Sequence, residues 1–171
     1  YTIGNNPVLP TPAFSLAAGT YTTSQSVTIS DAAGTTIYYT TNGTTPNTSS
    51  SVYGGPITVS STEILEATAV ETGYTNSPVA TAAYTINPVL STPAFLPAAG
   101  TYTTSQPVTI SASAGTTIYY TTNGTTPTTS SSVYGSAITV SSTETLNAIA
   151  VESGFTTSPT ATAVYTINPI L

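Results

Sequence analysis

Glu63-Ile64-Leu65-Glu66-Ala67-Thr68-Ala69-Val70-Glu71 recurs 81 residues later as Glu144-Thr145-Leu146-Asn147-Ala148-Ile149-Ala150-Val151-Glu152. The changes are not scattered. Positions 64, 66 and 68 differ between the copies, whereas Leu65, Ala67 and Ala69 are kept as Leu146, Ala148 and Ala150. A pleated strand sends alternate residues to opposite faces. The reading is therefore a strand with Leu65, Ala67 and Ala69 in a core and Ile64, Glu66 and Thr68 toward solvent.

The duplication extends well beyond this strand. Residues 11–90 align without a gap on 92–171, with 63 of 80 positions identical. Repeats at a fixed period point to an array of like units. Tyr1-Thr2-Ile3 matches Tyr84-Thr85-Ile86 and Tyr165-Thr166-Ile167, which close the two copies. The expected organisation is a closing strand and linker of a preceding repeat over 1–10, a first repeat over 11–90 and a second over 91–171. On this reading the chain is a window on a longer tandem array.

Within each repeat the pattern has period two. Gln25 to Ser30 alternates polar and apolar, Thr35 to Thr41 is β-branched and aromatic, and Ile57-Thr58-Val59 and Val79 to Ile86 read as further strands. The same alternation places Val27, Ile29, Ile37 and Tyr39 inside. Asn42-Gly43 reads as a tight turn whose residues both tolerate positive φ. No stretch carries helical period with caps. Seven or so short strands in about 80 residues predict an all-β, two-sheet antiparallel sandwich, present twice. The joint, residues 84–93, is short and bounded by Pro88 and Pro93, so it should be stiffer than a Gly/Ser tether. Val89 and Leu90 should tuck against the end of a unit.

Composition excludes many functions. The 171 residues include no Lys, Arg, His, Cys, Met or Trp, and six acids give a net charge of −6. Without cations there is nothing to neutralise phosphates, so no nucleic-acid partner is expected. No stretch approaches the ~20 apolar residues of a membrane span, so no membrane insertion is expected. There is no disulfide, no thiolate and no usual general base. Ser and Thr hydroxyls are abundant but lack a His or Lys to activate them. Glu63 and Glu71 lie eight residues apart, about 26 Å along a strand at ~3.3 Å per residue. A glycosidase pair needs ~5–9.5 Å. The chain reads as no enzyme, with no catalytic, cofactor-binding or metal residues and no cofactor. A calcium site would need six to eight oxygens, and the joint offers Asn87 and Asn168 without a nearby acid in sequence.

Two kinds of site remain. Tyr38 and Tyr119 should be the outward-facing rings, since Tyr39 points in, and an outward ring can stack on a sugar. Asn42, Asn47 and Asn123 head Asn-Xaa-Ser/Thr patterns on turns and are candidate glycosylation sites.

The string Thr36-Ile37-Tyr38-Tyr39-Thr40-Thr41-Asn42-Gly43-Thr44-Thr45-Pro46, followed by Tyr53-Gly54-Gly55-Pro56-Ile57 and Leu65-Glu66-Ala67-Thr68-Ala69, resembles the chitobiase/beta-hexosaminidase C-terminal domain family. The resemblance covers both repeats and implies an Ig-like or fibronectin-like sandwich with no catalytic residues. It further implies an accessory or structural module of a secreted or surface protein. Two departures stand out. The family often has Asp at the positions of Asn42 and Asn123, and commonly has Lys near the position of Glu66. The expected function is a structural repeat of an extracellular stalk, fibre or cell-surface filament, whose partners are neighbouring repeats or copies of itself. The alternative is a carbohydrate-binding accessory module of a secreted glycan-degrading enzyme, with polysaccharide as partner.

Overall fold

β-Branched and aromatic residues broken by Gly and Pro favour short strands over helices. The computed structural model, which describes residues 6–170, is built of strands with no helix among the described residues. These residues fall into two units that divide between Asn87 and Pro88. The expected closing strand at Tyr1-Thr2-Ile3 lies outside the described residues.

The first unit holds β1 (Ala13–Phe14), β2 (Gly19–Tyr21), β3 (Gln25–Val27), β4 (Ile29–Ser30), β5 (Thr36–Thr40), β6 (Ser51–Val52), β7 (Ile57–Val59), β8 (Glu63–Val70) and β9 (Ala80–Ile86). One sheet runs β2-β9-β8-β5-β6, and the pairs β1–β4 and β3–β7 face it. The second unit holds β10 (Ala94–Leu96), β11 (Gly100–Tyr102), β12 (Gln106–Ser111), β13 (Thr117–Thr121), β14 (Ser132–Val133), β15 (Ile138–Val140), β16 (Glu144–Val151) and β17 (Ala161–Ile167). Its sheets run β11-β17-β16-β13-β14 and β10-β12-β15. Each unit is a β-sandwich. The strand ladders are antiparallel except β2 with β9 and β11 with β17, which are parallel.

The cores follow the alternation. Val27, Val59, Leu65, Ala82, Tyr84 and Ile86 form a buried cluster in the first unit. Val108, Val140, Leu146, Ala163 and Tyr165 do so in the second. Leu65, Ala67 and Ala69 are fully buried, as the copy comparison requires. Val27 and Ile29 are buried as well, while Ile37 and Tyr39 are half-buried. Tyr39 stands edge-on to Tyr53, ring centroids 6.3 Å apart.

The opposite face of β8 departs from expectation. Ile64 is exposed, but Glu66 is half-buried and Thr68 is buried; in β16, Asn147 and Ile149 are buried. The reason is a second cover. The chain after β8 arches back over it, and the Thr68 hydroxyl donates to Ser77 O (3.2 Å). The Asn-Gly turn corrects a second expectation. Only Gly43 has positive φ (70°), and the described residues include no non-glycine in that region. Asn42 Oδ1 accepts from Thr44 N–H (3.2 Å) and Thr44 Oγ1 (2.7 Å), and Gly43 N–H donates to Ile64 O (3.0 Å). The turn therefore folds down on β8 instead of closing a two-residue hairpin. A Cβ at Gly43 would stand 3.3 Å from that of Ile64.

Candidate functional site

Chain direction sets how the two ends of each unit are paired. β2 lies near the start of the first unit and β9 ends it. They run parallel, pairing Gly19 with Tyr84, Thr20 with Thr85 and Tyr21 with Ile86. Asn87 N–H extends the ladder to Tyr21 O (2.8 Å). Tyr84 locks the closing strand further. Its ring is fully buried and its hydroxyl donates to Leu16 O (2.8 Å), across 68 residues of sequence. Desolvation, then the neighbouring Tyr21, raises the Tyr84 pKa above its ordinary value. Ile86 N–H donates to Thr62 Oγ1 (3.2 Å). The second unit repeats each device: β11 runs parallel to β17, Asn168 N–H reaches Tyr102 O (2.8 Å), and the Tyr165 hydroxyl donates to Pro97 O (2.7 Å).

An entry slot precedes each sandwich. Ser77 is buried and pins the arch to β8, its Oγ accepting from Ala69 N–H (2.8 Å). Thr75, on that arch, receives the chain that enters the unit. Thr75 N–H donates to Pro7 O (2.9 Å), and Leu9 N–H donates to Thr75 O (3.0 Å). Leu9 is only 3% exposed. In the second unit Thr156 N–H donates to Pro88 O (2.9 Å), Leu90 N–H donates to Thr156 O (3.0 Å), and Leu90 is 5% exposed. Of the two residues expected to tuck in, Leu90 does so and Val89 stays exposed.

Sequence reading alone passed over Thr75, Ser77 and Tyr84. The copy comparison held the signal for the first two. Tyr74 and Asn76 change to Phe155 and Thr157, while Thr75, Ser77 and Pro78 are kept as Thr156, Ser158 and Pro159.

The ring candidates are half-buried. Tyr38 joins Gly34, Thr36, Val70, Glu71 and Thr72 around a groove of about 390 Å³. Gly34 sits at φ +97°, and a Cβ there would come within 3.3 Å of Glu71 Oε1, so the bare backbone leaves room for the carboxylate. In the second unit Gly115 stands in the same way against Glu152 Oε1, and Tyr119 is half-buried. A ring face beside a carboxylate and hydroxyls can engage a polyhydroxylated ligand. Tyr74 (43% exposed) and Phe155 are the more open rings. Asn42, Asn47 and Asn123 are all exposed on turns. Glu63 and Glu144 have pKa values raised by desolvation. No group of three or more acids is gathered as a metal would require, among the described residues.

Two tandem segments, residues 16–87 and 97–162, match the model of the chitobiase/beta-hexosaminidase C-terminal domain. The chain belongs to that family. Both matched segments are the sandwiches described above, so each unit is one Ig-like member of the chitobiase/beta-hexosaminidase C-terminal domain family. Solved structures similar to it include a chimeric titin Z1Z2, at 14% identity and TM-score 0.33, covering 91% of this chain and 96% of that one. Fibronectin(III)-like modules of Clostridium thermocellum CbhA match at 16% identity and TM-score 0.30, covering 92% and 94%. The BSP domain of a biofilm associated protein matches at 17% identity and TM-score 0.30, covering 89% of this chain and 29% of that one. Among curated proteins, none matches. Members of the family and Ig-like folds at large are typically non-catalytic modules.

Proposed function

We propose that the chain is a tension-carrying structural repeat of an extracellular stalk, fibre or cell-surface filament, part of a longer tandem array. The observation that carries this reading is the parallel pairing of β2 with β9 and of β11 with β17. Tension that enters at the start of a unit and leaves at its end pulls two parallel strands in opposite directions along their length. Every ladder bond between them is then loaded at once instead of one after another. The compositional lack of Lys and Arg suits the same role, since it leaves no trypsin-type cleavage point. Glycans on Asn42, Asn47 or Asn123 would add solubility to a surface with only six charges.

The test is electron microscopy of the native parent material. Long filaments with a bead every 81 residues are expected. A compact enzyme with a short tail would overturn the reading.

One observation favours a second reading, a carbohydrate-binding accessory module: the groove that brings Tyr38 beside Glu71. Polysaccharide pull-down that is lost on Tyr38→Ala with Tyr119→Ala would support it. Equal retention of wild type and variant would remove it.

A further inference from the structure

The segment that enters each unit has one sequence and one seat. Asn6-Pro7-Val8-Leu9 brackets Thr75 with two backbone hydrogen bonds and buries Leu9. Asn87-Pro88-Val89-Leu90 brackets Thr156 with the same two bonds and buries Leu90. In both, the Val between Pro and Leu points away and is exposed. The seat is specific for physical reasons. Pro fixes φ and has no N–H, so at that position the segment can accept a backbone bond but not donate one. The arch Thr offers one donor and one acceptor on one side, as a strand edge does. A single Leu fills the apolar position beneath.

The chain contains this segment a third time. Asn168-Pro169-Ile170-Leu171 differs only in Ile for the Val that points away. It leaves the second unit from the same anchor, Asn168 N–H to Tyr102 O (2.8 Å), as Asn87 leaves the first from Tyr21. Ile170 is 82% exposed.

We propose that the Thr75 and Thr156 arches are docking slots for an Asn-Pro-(Val/Ile)-Leu plug, and that residues 168–171 are a plug whose partner is the slot on another copy of this unit. The plug follows the closing strand of one unit and docks on the arch of the next. This deepens the array reading and rests on it only for the order of copies. One buried Leu and two backbone bonds give a weak site in isolation, half-saturated on the order of 1–10 mM. Covalent connection would make such a site permanently occupied.

Two experiments test the slot. In the full chain, Leu9→Asp empties the first slot; Leu9 lies outside the core cluster around Leu65 and Tyr84. The peptide Ile-Asn-Pro-Ile-Leu, copied from residues 167–171, should then shift the Thr75 and Ser77 amide resonances, and the same peptide ending in Asp should not. Absence of any shift at roughly 100 mM peptide, about ten times the upper end of that range, would overturn the proposal. The second experiment needs no vacated slot. A further copy of residues 91–171 is fused after Leu171, and hydrogen exchange is read at the added counterpart of Thr156. That amide should be protected as Thr156 is, and Leu171→Asp should abolish its protection while leaving the added core amides slow. Equal exchange with and without Leu171→Asp would overturn the proposal. Filaments seen by microscopy with no such effects would leave the array reading standing and sink the slot. Peptide shifts without filaments would support the slot and sink the array.

Discussion

Ser15 in the first unit and Leu96 in the second hold the same place in the repeat, and they build different edges. Ser15 Oγ accepts from Thr28 N–H (2.9 Å), taking that donor for itself, and the strand splits into β3 and β4. The Leu96 side chain has no acceptor to offer. It pairs with Thr109 in the ladder, β10 gains a residue, and β12 runs unbroken from Gln106 to Ser111. One residue further on, Leu16 packs against the first core. Its counterpart is Pro97, and a cleft of about 420 Å³ opens in the second unit beside Phe95, Ala98 and Ala99. A third difference lies on the outer face. Glu66 is half-buried, whereas Asn147 is 6% exposed and donates to Gly124 O (2.9 Å) and Thr125 O (3.0 Å). The copies thus vary in edges and covers. The parallel closing ladder, the Tyr anchor and the entry slot are the same in both.

That contrast can be broken most severely at the core. Leu65→Ala and Leu146→Ala should each cost about 2–5 kcal/mol, enough to unfold a unit of marginal stability. The two costs should agree, because both side chains are fully buried in matching surroundings. Native-state hydrogen exchange, which reports each unit through its own amides, checks this. A disagreement above about 1 kcal/mol would show that the cleft loosens the second core.

The outer face gives the next effect. Asn147→Glu places a carboxylate where two carbonyls point, and should destabilise the second unit by about 2–3 kcal/mol. Glu66→Asn should tighten the first unit's Asn-Gly turn by no more than about 1 kcal/mol, since Asn147 keeps a buried Oδ1 without a partner. Denaturant midpoints of the two variants decide it.

Tyr84→Phe and Tyr165→Phe remove one part-buried hydrogen bond each and should cost about 1 kcal/mol apiece. The raised pKa of both phenols fixes the sign at alkaline pH. Their neutral form is favoured in the folded state, so this stability is present below pH 10 and lost as pH rises through the folded values. Unfolding followed from pH 8 to 12 should show a loss that the double Phe variant lacks. Glu63 and Glu144, raised by desolvation, act with the same sign near their ordinary 4.5: stability declines as pH rises through that region.

The smallest effect belongs to the edge. Leu96 is 71% exposed, so Leu96→Ser should change stability by no more than about 0.5 kcal/mol. The introduced hydroxyl should still compete for the Thr109 N–H as Ser15 does for that of Thr28, seen as a shift of that one amide.

Much of this was legible in the residues, and the rest was hidden for definable reasons. The long strands β8 and β9 and the buried triad Leu65, Ala67 and Ala69 follow from period-two alternation and the copy comparison. β1, β2 and β6 are two or three residues long and too short for any period to show. The burial of Thr68 and Ile149 could not be read from alternation, because that rule assumes an uncovered outer face. Parallel pairing of β2 with β9 depends on which distant strand lies alongside, which local pattern does not encode. The entry slot rests on two backbone bonds to Thr75, and a backbone bond leaves no residue-type signature. Its only trace was the constancy of Thr75 and Ser77 among changing neighbours.

That the units carry tension is tested most directly by pulling the chain from its two ends and recording force against extension. Two unfolding events are expected, each releasing roughly 250 Å, as about 80 residues at ~3.4 Å less the folded span require. Asn87→Pro and Asn168→Pro, which delete the N–H groups bonded to Tyr21 O and Tyr102 O, should each cost about 1 kcal/mol and lower the force of one event. Unfolding forces indifferent to both substitutions would contradict the account.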